Sequence, residues 1–228
     1  MADVAELLVE HYQKTFELTL DLWEQRNRTF LILLLVVGLA TLLTFNPTKL
    51  VAEPLVVSYI ARTLGGNYDS LRVGFPYFLI QSILLMAILY FMVILYHRTT
   101  LILRNYVYLA GIEEEIRSRL ELAEAELGFT REGRFYQRAR SPFQRQIGLA
   151  YITMLGVLLV SFLGARIYAD LSVGPYWLVG VDVILATPTL LFFLAYAYVS
   201  SKVLKRLISK LLRAFAIADG SGSNSKDT

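Results

Sequence analysis

Residues 179–198 read VGVDVILATPTLLFFLAYAY, an apolar run that carries one carboxylate, Asp182, and no basic residue. A charge at the centre of a bilayer costs about 2.5–3.5 kcal/mol even on the lenient insertion scale, so this aspartate needs a partner or a task. Counting inward from the same boundary puts Gln81 at the same depth, roughly 9 Å below the surface, with Ser82 and Thr41 close to that level. Arg166 starts nearer the surface and reaches the level by snorkelling. These five residues form an intramembrane polar layer: Asp182, Gln81, Arg166, Ser82 and Thr41. Gln81 is the first candidate to compensate Asp182 and Arg166 the second. Two chemistries fit. Asp182 lines an aqueous path and binds or gates a cation, or it is a protonated or hydrogen-bonded acid that holds the helices together.

A second stretch with chemical potential follows Gly128: FTREGRFYQRARSPFQRQ. Arg131, Arg134, Arg138 and Arg140 alternate there with Phe129, Phe135, Tyr136 and Phe143, a mixture that binds phosphate and stacks on rings. A nucleotide, RNA or anionic lipid answers to that description; so does a plain juxtamembrane segment lying on anionic headgroups, which is the expected reading. The TREG turn lacks the glycine spacing of a phosphate-binding loop. Nucleic acid is not an expected partner.

Other chemistries are excluded or unsupported. The chain has no cysteine, which rules out thiol catalysis, disulfides and thiolate metal sites. Its two histidines, His11 and His97, lie in separate regions, and Glu113–Glu115 sit on the solvated face of a helix. No nucleophile–base pair or metal-ligand spacing is present. The chain is therefore expected to be no enzyme and to carry neither cofactor nor metal.

The elements that must position these residues follow from composition. Of 228 residues 56% are hydrophobic and 18% charged, well beyond the apolar share of a soluble domain. Four stretches, 29–45, 75–96, 147–168 and 176–200, are apolar enough to span about 30 Å of hydrocarbon as helices. The polar residues before the first one, and the lack of a cleavage site after it, argue against a signal peptide. The expected fold is all-α, an integral membrane protein with four transmembrane helices and cytoplasmic amphipathic helices.

Basic residues orient the spans. Segment 1–28 has three, segment 97–146 has nine arginines and the chain after residue 200 has six; the opposite side has Lys49, Arg62, Arg72 and Arg166. Eighteen against four puts both termini and the central segment in the cytoplasm. The chain then divides into a cytoplasmic N-terminal helix (1–28), a first hairpin (29–96) with outer loop 46–74, a helical and arginine-rich cytoplasmic segment (97–146), a second hairpin (147–200), a basic amphipathic helix (201–218) and a disordered tail (219–228).

Val4, Leu8, Tyr12 and Phe16 recur every four residues, and nothing breaks the helix through residue 37, so one helix of about 40 residues and 60 Å is expected. Leu109, Ile112, Ile116, Leu120, Ala123 and Leu127 form a second stripe, with Glu113–Glu115, Arg117 and Arg119 on the opposite face and Gly128 as the stop. Neither stripe can stay in water, so the two should pack together or against copies of the chain as an assembly layer. In the tail, Val203, Leu204, Leu207, Leu211 and Phe215 oppose Lys202, Lys205, Arg206, Lys210 and Arg213. That pattern suits a helix on the membrane surface and equally an extension of span four packed on the cytoplasmic helices. On span four Asp182, Ala186, Thr189, Tyr196 and Ser200 share a stripe beside Pro188. On span three Thr153, Gly156 and Gly164 make a small-residue face for close packing, which leaves Arg166 pointing elsewhere.

The segment HYQKTFELTLDLWEQRNRTFLILL, with Tyr12, Glu17, Arg26, Asn27 and Phe30, resembles the start of small bacterial membrane proteins. These are the two- and four-span effector-like proteins of nucleotide-signalling defence systems and the octameric RipA-type proteins. IEEEIRSRLELAEAELGFTREGRFY resembles the cytoplasmic helix and arginine-containing turn after their second span. The likeness covers about a third of the chain, and spans three and four depart from the two-span pattern. It implies a homo-oligomer in the bacterial inner membrane, pore-forming or membrane-disrupting in antiviral defence. The expected partners are membrane lipids, copies of the chain and a nucleotide or protein trigger on the cytoplasmic side. The function expected is that of an oligomeric effector or channel-like protein; the alternative is a non-conducting scaffold that recruits partners through its cytoplasmic helices.

Overall fold

The computed structural model describes residues 2–44, 58–59, 62–63, 77–122, 142–173 and 176–201. Four helices carry the architecture: α1 (Ala2–Thr44), α2 (Tyr77–Arg119), α3 (Pro142–Val173) and α4 (Tyr176–Ser200). Each contains a stretch long and apolar enough to cross a membrane. The fold class expected from composition is the one found, a four-span all-α bundle.

At 43 residues each, α1 and α2 are about 65 Å long, twice the thickness of the hydrocarbon. α1 lacks proline, and five of its threonines, Thr15, Thr19, Thr29, Thr41 and Thr44, donate their hydroxyls to carbonyls four residues back at 2.7–2.8 Å. A hydroxyl satisfied on its own helix can sit in an apolar setting without a further partner. α2 likewise runs unbroken from the second span into the helix expected after residue 97. What reads in the sequence as a span plus a separate amphipathic helix is one rod.

α2 ends sooner than Gly128. Leu122 N–H donates to Arg117 O at 3.1 Å and Glu121 N–H to Ser118 O at 3.4 Å, with Glu121 at φ 50°. This is a Schellman cap with a glutamate where glycine is usual, at a cost of about 1–2 kcal/mol in left-handed strain. Leu120, whose N–H still donates to Ile116 O at 3.0 Å, keeps its place on the stripe and is 45% exposed within one chain. Ala123, Leu127 and Gly128 lie outside the described residues, as do outer loop 46–74 apart from residues 58–59 and 62–63, Arg131, Arg134, Arg138 and Arg140, and everything after residue 201.

α1 neighbours α2 and α3, and α4 neighbours the same two, so α2 and α3 occupy opposite corners. As the α1 partner advances from Tyr12 through Thr19 and Thr29 to Thr44, its α2 partner retreats from Glu113 through Asn105 and Arg98 to Gln81. The pair is antiparallel over its full length. α2 and α4 run parallel: Ser82 meets Asp182, and Tyr96, about four turns on along α2, meets Phe192, about three turns on along α4.

The core is Leu33, Val37 and Ala40 of α1, Leu85, Ile88, Met92 and Leu95 of α2, Leu155, Leu159 and Phe162 of α3, and Ala186, Phe193 and Ala197 of α4. Gly156 lets α3 approach α4; a Cβ there would lie 2.7 Å from Phe193 Cζ. The rest of the small-residue face is not used this way, since Gly164 faces open space and Thr153 is exposed. Leu35, Leu42, Val157, Val160, Ile184 and Leu191 point outward, each more than half exposed. Only a lipid environment or further protein makes such a surface tolerable.

Candidate functional site: a polar layer inside the bundle

Each helix contributes to one polar layer near the ends of α1 and the starts of α2 and α4. Asp182 of α4 and Arg166 of α3 are 1% and 2% exposed, and Arg166 Nε donates to Asp182 Oδ2 at 2.6 Å. Arg166 Nη1 donates to Gln81 Oε1 in a short bond. Ser82 donates to Asp182 Oδ1 at 3.2 Å and receives Arg166 Nη2 at 3.5 Å. Gln81 turns its amide nitrogen to Thr44 Oγ1 of α1, 3.5 Å away. The guanidinium thus sits at the centre, with its fork divided between α4 and α2.

Four of the five residues expected in this layer meet. Thr41 does not; its hydroxyl returns to Val37 O at 2.7 Å, and Thr44, one turn nearer the helix end, takes its place. The ranking of partners reverses. Asp182 is neutralised directly by Arg166, and Gln81 touches the arginine rather than the acid. Nor does Arg166 point away from the bundle. It follows Leu155, Leu159 and Phe162 by eleven, seven and four residues, on the buried stripe of α3, and from there its side chain reaches α2 as well as α4. The expected stripe on α4 is buried at Asp182, Ala186, Thr189 and Tyr196, whereas Ser200 is exposed. α4 continues through Pro188 without ending.

Beyond this layer the axis closes. Ala40, Leu85, Phe162 and Ala186 fill the next turn, followed by Val37, Ile88, Leu159 and Thr189, then Leu33, Met92, Leu155 and Phe193, all at most 8% exposed. Thr189 gives its hydroxyl to Leu185 O at 2.7 Å. Among the described residues, the interior of one chain offers no polar route past the ion pair.

A second polar seam runs along the halves of α1 and α2 that project beyond the bundle. Arg98 Nη1 donates to Gln25 O at 2.9 Å and to Thr29 Oγ1. Asn105 donates to Thr19 Oγ1 at 3.2 Å, Tyr12 to Glu113 Oε1 at 3.0 Å, and His11 Nε2 lies 3.0 Å from Tyr108 Oη. Ile112 and Ile116, expected in the assembly helix, are buried at 5% and 0% beside it. Glu113 and Arg117, expected on the solvated face, are instead 3% and 7% exposed. Glu113 lies one residue past Ile112, at the edge of the stripe, where the Tyr12 hydroxyl meets it. The alternation of charge with apolar residues does not reveal a buried carboxylate whose donor is on another helix.

Among the described residues no three His, Asp or Glu side chains converge as a metal site. No family model matches this chain, and neither a curated protein nor a solved structure matches it.

Proposed function

We propose that this chain is a non-enzymatic, homo-oligomeric protein of the bacterial inner membrane, of the effector or channel-like kind. Its termini and the projecting α1–α2 hairpin lie in the cytoplasm, where the hairpin serves as the sensing and assembly layer. The observation that carries the reading is the continuity of α1 and α2. Each runs as a single helix from the polar layer to the far end of the hairpin. A rod without a break transmits a displacement at the hairpin to the spans, so a trigger bound outside the membrane can rearrange helices within it. Because the interior of one chain is closed among the described residues, a conducting path in this reading lies between copies.

The same closed interior favours a second reading, a non-conducting scaffold in which Arg166 and Asp182 only hold the bundle. Reconstitution separates the two. Purified protein in vesicles loaded with an ion-sensitive dye should form oligomers and pass ions once associated; oligomers that stay impermeable leave the scaffold. Orientation is tested in this cysteine-free chain by labelling from outside the cell. Asn67→Cys should react and Leu120→Cys should not; labelling of position 120 would overturn the topology.

A further inference from the structure

The first basic residues beyond the apolar runs of the two long helices are Arg28 on α1 and His97 and Arg98 on α2. Residues 29–44 and 77–96 hold no Asp, Glu, Lys, Arg or His, so charge begins where the hydrocarbon ends. One contact brings the three together. Arg98 Nη1 donates to Gln25 O at 2.9 Å and to Thr29 Oγ1, which sets the α2 arginine against the turn of α1 that contains Arg28. Residues two apart on a helix face nearly opposite ways, since they turn through about 200°. Phe30 packs on Tyr151 of α3, which turns Arg28 away from α3; Tyr96 packs on Phe192 of α4, which turns Arg98 away from α4. Arg28 and Arg98 therefore stand on the lipid-facing flank of the α1–α2 pair. His97 is exposed beside them.

Their charge is not answered within the chain. Among the described residues neither arginine is paired with a carboxylate. Arg98 spends one nitrogen on neutral oxygens, and Arg28 makes no hydrogen bond. The nearest carboxylates along α1, Glu24 and Asp21, lie four and seven residues farther into water, and Asp21 is held by Gln25 Nε2 at 2.8 Å. In the other direction the same flank is apolar and open. Ile32, Leu35 and Leu39 follow Arg28 by four, seven and eleven residues, and Val93, Tyr90 and Met86 precede His97 by the same steps. All six are 37–69% exposed. Because α1 and α2 are antiparallel, the two stripes run side by side from the basic end into the hydrocarbon.

We propose that this flank binds an anionic phospholipid of the leaflet on the hairpin's side, with its phosphate between Arg28 and Arg98 and its acyl chains along the two stripes. The forked donors of a guanidinium match phosphate oxygens, and His97 adds an N–H at the same level. Two arginines at the headgroup level favour a lipid of net negative charge over a zwitterionic one. The site rests on the chain's spanning a membrane and holds whether or not the protein conducts or assembles. A lipid held there ties α1 to α2 at the level where the spans pass into the hairpin.

The test is native mass spectrometry of the full-length chain released from equimolar phosphatidylglycerol and phosphatidylethanolamine, reading the headgroup of the last lipid retained. Two arginines at about 1 kcal/mol each should enrich phosphatidylglycerol roughly thirtyfold. Arg28→Gln, which breaks no hydrogen bond within the chain, should lower the enrichment to roughly fivefold. Arg104→Gln removes another exposed arginine without a carboxylate partner, six residues farther along α2, and should leave the enrichment unchanged. Equal retention of the two lipids by the unaltered chain would overturn the proposal. So would an equal loss from Arg104→Gln, which would make the attraction a diffuse field. Displacement of the lipid by excess inorganic phosphate would also overturn it, by making the occupant a soluble anion.

Discussion

Within the bundle the helices are joined by full charges, Arg166 and Asp182, both almost wholly buried. In the projecting hairpin, α1 and α2 are joined by charges on neutral partners, the Arg98 guanidinium on a carbonyl and a hydroxyl and the Glu113 carboxylate under a phenol. An amide on a hydroxyl and an imidazole beside a phenol join them too. The surroundings explain the contrast. In hydrocarbon an unmatched polar group has no water to fall back on, so a pair of opposite charges becomes a strong and specific clamp. In the seam Glu113 and Thr19 are buried, but His11 and Tyr108 are exposed and Tyr12 half-buried, so water replaces part of what a lost partner gave. The same loss should therefore cost far more in the layer than in the seam.

The largest expected effect is on the clamp. Arg166→Leu strands the Asp182 carboxylate, and Asp182→Leu strands the guanidinium; each should destabilise the protein by about 3–5 kcal/mol, seen as loss of folded protein in a detergent unfolding titration. Asp182→Asn keeps the shape but also leaves the cation unneutralised, so it too should weaken the fold. Replacing both residues by leucine should recover most of the loss, because no charge is left unmatched. If the double variant folds and any measured conductance persists, the pair is structural; if it folds and conductance vanishes, the charges serve the path. A double variant as unstable as the singles would mean that the ion pair is not the clamp.

Close packing of α3 on α4 comes next. Gly156→Ala puts a methyl against the ring of Phe193, and the displaced ring should cost about 1–3 kcal/mol in the same titration. An unchanged midpoint would mean that the ring moves freely aside. In the seam, Tyr12→Phe removes the hydroxyl on Glu113 and should cost about 1 kcal/mol. A loss as large as that of Arg166→Leu would erase the contrast between the two regions. The smallest effect belongs to Lys14, whose 2.6 Å pair with Glu10 is fully exposed. The contact raises the Lys14 pKa and lowers that of Glu10, chiefly through the hydrogen bond between them. Water screens such a pair, so Lys14→Ala should leave the unfolding midpoint unchanged.

The difference between the two regions also marks what could be read from the sequence. Depth along a helix is a matter of counting, so Asp182, Gln81, Ser82 and Arg166 were legible as neighbours in one layer. The continuous α1 was equally legible, since nothing in residues 2–37 interrupts it. Direction was harder. On α3 the small residues Thr153 and Gly164 suggest a packing face that the bundle does not use, whereas Arg166 sits on the stripe of Leu155, Leu159 and Phe162 that lines the interior. Thr44 displaced Thr41 because the antiparallel register of α1 and α2 sets who meets Gln81, and that register is fixed partly by Tyr12–Glu113 and Thr19–Asn105 tens of ångströms away. Glu113 follows the same rule. Its surroundings come from another helix, which periodicity within one helix cannot see.

Arg166 and Asp182 are 16 residues apart, on consecutive helices of one hairpin. That proximity bears on how the protein is made. Entering the bilayer singly, α3 would bring a lone cation and α4 a lone anion, each paying the insertion penalty for a charge. Entering as a hairpin, they cross as an electrically neutral unit, with the ion pair formed before α2 is met. Gln81 and Ser82 then offer that unit a ready set of hydrogen-bond partners on the first hairpin. On this account the order of synthesis, first hairpin and then second, is also the order in which the polar layer can be completed without a stranded charge.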